Sequence, residues 1–137
     1  LQRLKTGPLK DMAPEADLWL DGGHNAAAGH ALASHLAQQS LRPTYLICGM
    51  LNTKDVAGYL APMAPYVAEL FAVSIPGEAN TLPAETTATA AKSVGMAATA
   101  ADTVNAAVAK ILKSDPASRI LICGSLYLAG QILRENA

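Results

Sequence analysis

A chain of 137 residues, 51% of them hydrophobic and 4% aromatic, has the size of one ordinary domain with an apolar core of its own, which excludes a disordered chain. A formal net charge of −1, with lysines and arginines scattered along the chain, provides no basic stripe for a phosphate backbone, so no nucleic-acid partner is expected. No apolar run is long enough to cross a bilayer and Leu1-Gln-Arg-Leu-Lys5 lacks a signal-peptide core, so no membrane association is expected and a cytoplasmic address follows by default.

Residues 1–17 mix charged residues and two prolines without periodicity and read as a linker or edge segment. The apolar run Leu18-Trp-Leu20 then leads into Asp21-Gly-Gly-His-Asn25. Beyond it Ala28, Leu32 and Leu36 recur every fourth residue, the spacing of one helical face. The grammar of strand, glycine turn and helix repeats in Thr44–Cys48, Gly49–Lys54 and a helix over 55–63 that Pro62 and Pro65 are expected to end. A third run, Val67–Ile75, precedes a helix over 84–94. Gly95–Thr99 is a weak strand, followed by a helix that Asp102 is expected to cap and that carries Val104, Val108, Ile111 and Leu112. Arg119–Cys123 and a helix over 126–134 close the pattern. Strands that alternate with helices and read as continuous apolar runs predict an α/β, Rossmann-like fold. Its sheet should have about five or six largely parallel strands with helices on both faces, over residues 18–137. Cys48 and Cys123 lie inside apolar runs without the spacing of a metal knuckle and read as core thiols.

Loops that follow parallel strands gather along one sheet edge, where ligands bind. Three such loops are rich in glycine and polar groups: Asp21–Asn25, Gly49–Asp55 and Gly124–Tyr127. In the first, glycines permit a tight turn and the helix starting near Asn25 offers unpaired amide donors to an anion. Asp21 suits ribose hydroxyls or a place near a metal, and His24 suits a phosphate or carboxylate. Equally, Asp21 can simply cap the turn and His24 can be solvated. Lys54 could reach a carboxylate at the sheet edge. Ser125 lacks a nucleophile elbow and a base, so a hydrogen-bonding or capping role is expected. His30 and His35 fall within a helix without Cys or acidic partners at ligand spacing, and no metal site is expected. Neither a P-loop nor a complete Gly-x-Gly-x-x-Gly fingerprint is present, so any nucleotide site here is incomplete.

Several segments together resemble one family, the folylpolyglutamate synthases and dihydrofolate synthases of the Mur ligase group, in its carboxy-terminal domain. Leu20-Asp-Gly-Gly-His-Asn25 is similar to the family's Asp-Gly-Ala-His-Asn motif, with Gly23 in place of the usual alanine and Ala26 where proline often follows. Gly49-Met-Leu-Asn-Thr-Lys-Asp55 resembles Gly-Ala-Leu-x-Asp-Lys-Asp, Leu82-Pro-Ala-Glu85 the start of the third-loop helix, and Gly124-Ser-Leu-Tyr-Leu128 the closing motif. The resemblance implies a fragment of a larger enzyme that activates a pteroate or folate carboxylate with ATP as an acyl phosphate, which L-glutamate then attacks. It implies that the partner is an amino-terminal ATPase domain holding the P-loop and the Mg2+ ligands. Carried over by position, Asp21, His24 and Asn25 would contact ATP, and Lys54 and Ser125 would hold the carboxylate of the incoming glutamate. The resemblance further implies that the domain alone is inactive. The alternatives are a non-catalytic nucleotide- or anion-binding module and, against the incomplete fingerprint, a nicotinamide-dependent oxidoreductase.

Overall fold

The computed structural model of the protein describes residues 1–39, 42–52 and 55–137. Its elements in chain order are β1 (Gln2–Leu4), α1 (Pro8–Met12), β2 (Asp17–Leu20), α2 (Ala26–Ala37), β3 (Thr44–Cys48) and α3 (Val56–Leu60). A 3-10 helix (Ala61–Tyr66) follows, then β4 (Glu69–Ala72), α4 (Ala84–Ser93), β5 (Ala98–Ala100), α5 (Val104–Ser114), β6 (Arg119–Cys123) and α6 (Leu126–Glu135). The sheet order is β1-β2-β6-β3-β4-β5. β1 pairs antiparallel with β2 (Gln2 opposite Leu20), and all other neighbours are parallel.

The central strands read as unbroken apolar runs because both faces are covered. Successive residues of β6 alternate between two cores: Ile120 and Ile122 pack with α1, α5 and α6, while Leu121 and Cys123 pack with α2, α3 and α4. In β3, Ile47 joins the first core and Leu46 and Cys48 the second. Each fully buried Leu or Ile in these cores contributes about 1.5–3 kcal/mol relative to exposure. Residues 1–17 are packed into the first core through Leu4, Leu9, Ala13 and Ala16.

Three sequence expectations shift. The helix over 55–63 is α only as far as Leu60 and continues as a 3-10 helix through both prolines. Pro62 and Pro65 have no N–H to give to the α ladder, and the chain tightens into the shorter repeat where they fall. The cap of α5 is Thr103, whose Oγ1 accepts from the Ala106 amide at 3.0 Å, one residue later than Asp102. The run from Val67 to Ile75 pairs as a strand only over Glu69–Ala72, although Val73 and Ile75 remain buried.

At the amino-terminal edge of the sheet, Arg119 is buried among partners: its Nε lies 3.4 Å from Asp17 Oδ2 and its Nη1 donates to Thr44 Oγ1 at 3.3 Å. Arg3 holds the other oxygen of Asp17 at 3.2 Å. A buried guanidinium is tolerated when it is paired in this way. The ligand-binding edge is the opposite one. There β6, last in sequence, inserts between β2 and β3, so the loops after these three strands become neighbours although they are far apart in the chain.

Candidate functional site at the carboxy-terminal sheet edge

The first loop leaves β2 with the Asp21 amide still donating to Ile122 O on β6, at 3.0 Å. The Asp21 carboxylate then turns back: Oδ2 accepts from the Gly23 amide at 2.8 Å. Neither Gly22 nor Gly23 adopts a positive φ. What they provide is room, since a β-carbon on Gly22 would lie 2.4 Å from Leu126 Cδ2 and one on Gly23 2.6 Å from the Ala28 β-carbon. Asn25, in extended backbone, caps α2 by accepting from the Ala28 amide at 2.9 Å. Replacement of Asn25 by Ala is expected to cost about 1 kcal/mol of stability, read as a lower urea midpoint at unchanged m-value.

The last loop places Ser125, only 2% exposed, as the cap of α6. Its Oγ accepts from the Tyr127 amide at 3.0 Å and retains a hydroxyl hydrogen to donate. The middle loop is tied down on both sides. The Gly49 amide donates to Cys123 O at 3.2 Å, the Asn52 amide to Asn80 O at 2.8 Å, and Met50 O accepts from the Leu82 amide at 2.9 Å. Thr81 fastens the opposing segment, accepting from the Ile75 amide at 2.7 Å and donating to Leu82 O at 3.1 Å. Asp55 caps α3 through the Gly58 amide at 3.0 Å. Lys54, expected in this loop as a carboxylate ligand, lies outside the described residues.

His24 and Ser125, 101 positions apart in the chain, line one cleft of about 220 Å³ together with Leu51, Gly124, Leu126 and Tyr127. The Nδ1 atom of His24 is buried and has no hydrogen-bond partner among the described residues. An imidazole nitrogen left unpaired at the wall of a cleft is suited to a polar group of a ligand. Asp21 and Asn25 do not line the cleft; they shape the loop that carries His24. Leu51, Leu126 and Tyr127 fall within the loops and motifs read from the sequence but carried no role there. Leu126 and Tyr127 are 69% and 57% exposed, and their signal was an apolar pair directly after a strand, glycine and helix cap. His35 packs edge-on against Trp19 with ring centroids 5.4 Å apart, away from any site, and His30 is exposed. Among the described residues no three His, Cys, Asp or Glu side chains converge as metal ligands, and no helix is long and apolar enough to cross a membrane.

Comparison with known proteins places this edge in context. No curated protein sequence matches the chain. Among solved structures it is similar to Mycobacterium tuberculosis folylpolyglutamate synthase complexed with ADP and AMPPCP, at 26% identity and a TM-score of 0.78 over 100% of this chain and 32% of that one. The same enzyme complexed with ADP gives 26% identity and a TM-score of 0.80, over 98% and 31%. A bifunctional folylpolyglutamate synthase/dihydrofolate synthase with Mn, AMPPNP and L-glutamate bound shares the fold at 23% identity and a TM-score of 0.72, over 97% and 30%. The chain therefore spans about a third of the length of the structures it matches. The family model described as dihydrofolate synthetase, C-terminal domain, matches residues 3–135, and the chain belongs to that family.

Proposed function

We propose that the protein carrying this chain is an ATP-dependent ligase that joins L-glutamate to dihydropteroate or folate through an acyl phosphate, and that this domain supplies half of its site. The carrying observation is the single cleft at the β2/β6/β3 edge lined by both His24 and Ser125, the latter with a hydroxyl hydrogen to donate. Relatives solved with ADP, AMPPCP and L-glutamate support the reading, as does the family match.

In this reading Asp21 accepts from a ribose hydroxyl with a carboxylate that the Gly23 amide holds in place. His24 faces the phosphates or the incoming glutamate, and Asn25 fixes the start of α2 beside them. Ser125, with Lys54, holds the glutamate carboxylate, so that the amine is oriented for attack on the acyl phosphate. A divalent cation supplies charge neutralisation to the nucleotide. By the family resemblance, its ligands belong to the amino-terminal ATPase domain, along with the P-loop. The isolated domain is then expected not to form ADP from ATP, folate substrate and glutamate; turnover by the isolated chain would refute the half-site.

The direct experiment is Asp21→Ala in the full-length protein. Losing one hydrogen bond to a charged acceptor should raise the ATP concentration required for half-maximal rate about tenfold, equivalent to about 1.4 kcal/mol. Unchanged steady-state kinetics would remove Asp21 from the ATP site.

A further inference from the structure

Three sulfur atoms meet beneath the cleft. Cys48 and Cys123 stand directly opposite each other in the parallel register of β3 and β6, on the sheet face covered by α2, α3 and α4. Both are free and buried. Met50, two residues beyond Cys48, belongs to the same core and is fully buried. Gly124 lies against two of them: a β-carbon built on it would lie 2.7 Å from Met50 Sδ and 2.9 Å from Cys48 Sγ. Tyr59 of α3 is buried in the same core, and its hydroxyl has no nitrogen or oxygen partner among the described residues.

Two thiols and a thioether, with no carboxylate or imidazole among them, form a soft donor set, and soft sulfur donors select d10 cations. We propose that Cys48, Cys123 and Met50 form a binding site for a soft monovalent d10 cation, copper(I) or its analogue silver(I). Two sulfur–metal bonds form as the two thiol protons leave to solvent as H+; Met50 supplies a third lone pair and no electron is transferred. The bis-thiolate centre carries one net negative charge, and the Tyr59 hydroxyl becomes its donor. That gives the orphaned group the partner a buried hydroxyl requires. The route in is the cleft, because Gly124 both lines it and lies over the sulfurs. This site does not depend on the ligase reading.

The test is a copper(I) titration of the full-length protein, reduced and free of oxygen, with bicinchoninate as the competing chromophoric chelator. The wild type should take up about one more equivalent than the Cys48→Ser/Cys123→Ser double variant. Tyr59→Phe should weaken that equivalent about ten- to a hundredfold, the usual cost of losing a hydrogen bond to a metal ligand. Met50→Leu, which conserves volume, should bind more weakly with its thermal melt preserved. Equal uptake by the wild type and the double variant would overturn the site. If the double variant does not fold, Met50→Leu decides: an unchanged silver(I) affinity and sulfur-to-metal absorption band would overturn it equally.

Discussion

Gly29→Ala is expected to destabilise the domain by about 3 kcal/mol, although the same exchange in an open helix stabilises by about 1 kcal/mol. Gly29 is buried at the end of the first turn of α2, where the helix backbone passes against α3. A β-carbon there would lie 2.1 Å from Tyr59 O, 3.0 Å from Tyr59 C and 3.3 Å from Tyr59 Cα. All three are backbone atoms, so no side-chain rotation relieves the overlap and one helix must move. Moving α2 carries Asn25 and His24 with it, so the cleft should lose its wall along with the stability. Gly130→Ala on α6 is the control: its β-carbon would meet only the end of Arg134, at 3.4 Å, and it should be neutral or stabilising. The check is the urea midpoint of both variants. If Gly29→Ala proves as stable as the wild type, the helices do not approach this closely.

That contact shows where sequence reading stops. The spacing of Ala28, Leu32 and Leu36 identified α2 and its buried face, because a repeat of 3.6 residues is written locally. Nothing local says that α3 will cross at Gly29. The same division runs through the sheet. Thr44–Cys48 and Arg119–Cys123 were legible as strands because burial on both faces demands unbroken apolar runs. β1, three residues long, and the five-residue α1 are too short to show a period, and only their pairing or packing defines them; β5 was legible as a weak strand over Gly95–Thr99, and its pairing shifts it to Ala98–Ala100. Asp102 and Thr103 are adjacent residues that both cap helices, and although Asp is the stronger cap in general, the choice between them depends on where the backbone turns.

The site divides likewise. The loops at Asp21 and Gly124 were legible because glycines and polar residues directly after apolar runs mark the ends of parallel strands. That they share a cleft depends on β6 lying between β2 and β3, a property of the crossovers. Leu126 and Tyr127 became part of the cleft wall only because α6 starts there with its first turn uncovered. The unpartnered Nδ1 of His24 could not be read from the sequence at all, since it depends on what surrounds the ring.

Gly124→Ala tests the point where strand pairing, the cleft and the sulfur cluster coincide. Gly124 has a φ of +108°, a conformation that an L side chain resists by about 1 kcal/mol or more. Space is the larger obstacle. The new β-carbon would sit 2.6 Å from Gly49 O, and that carbonyl cannot retreat freely because the Gly49 amide is itself bonded to Cys123 O at 3.2 Å. The two sulfurs close the remaining directions. Conformational strain and overpacking together should cost about 3 kcal/mol, or roughly 10 °C in melting temperature for a domain of this size. Gly95→Ala separates the two terms. Its φ is +91° with nothing within 4 Å of the added carbon, so it should lose only the conformational part, about 1 kcal/mol. Combining Gly124→Ala with Met50→Ala should recover the fraction due to the thioether while leaving the carbonyl overlap and the strain, and a double-mutant cycle measures that fraction directly. If Gly124→Ala costs no more than Gly95→Ala, the ends of β3 and β6 are not packed as tightly as this account requires.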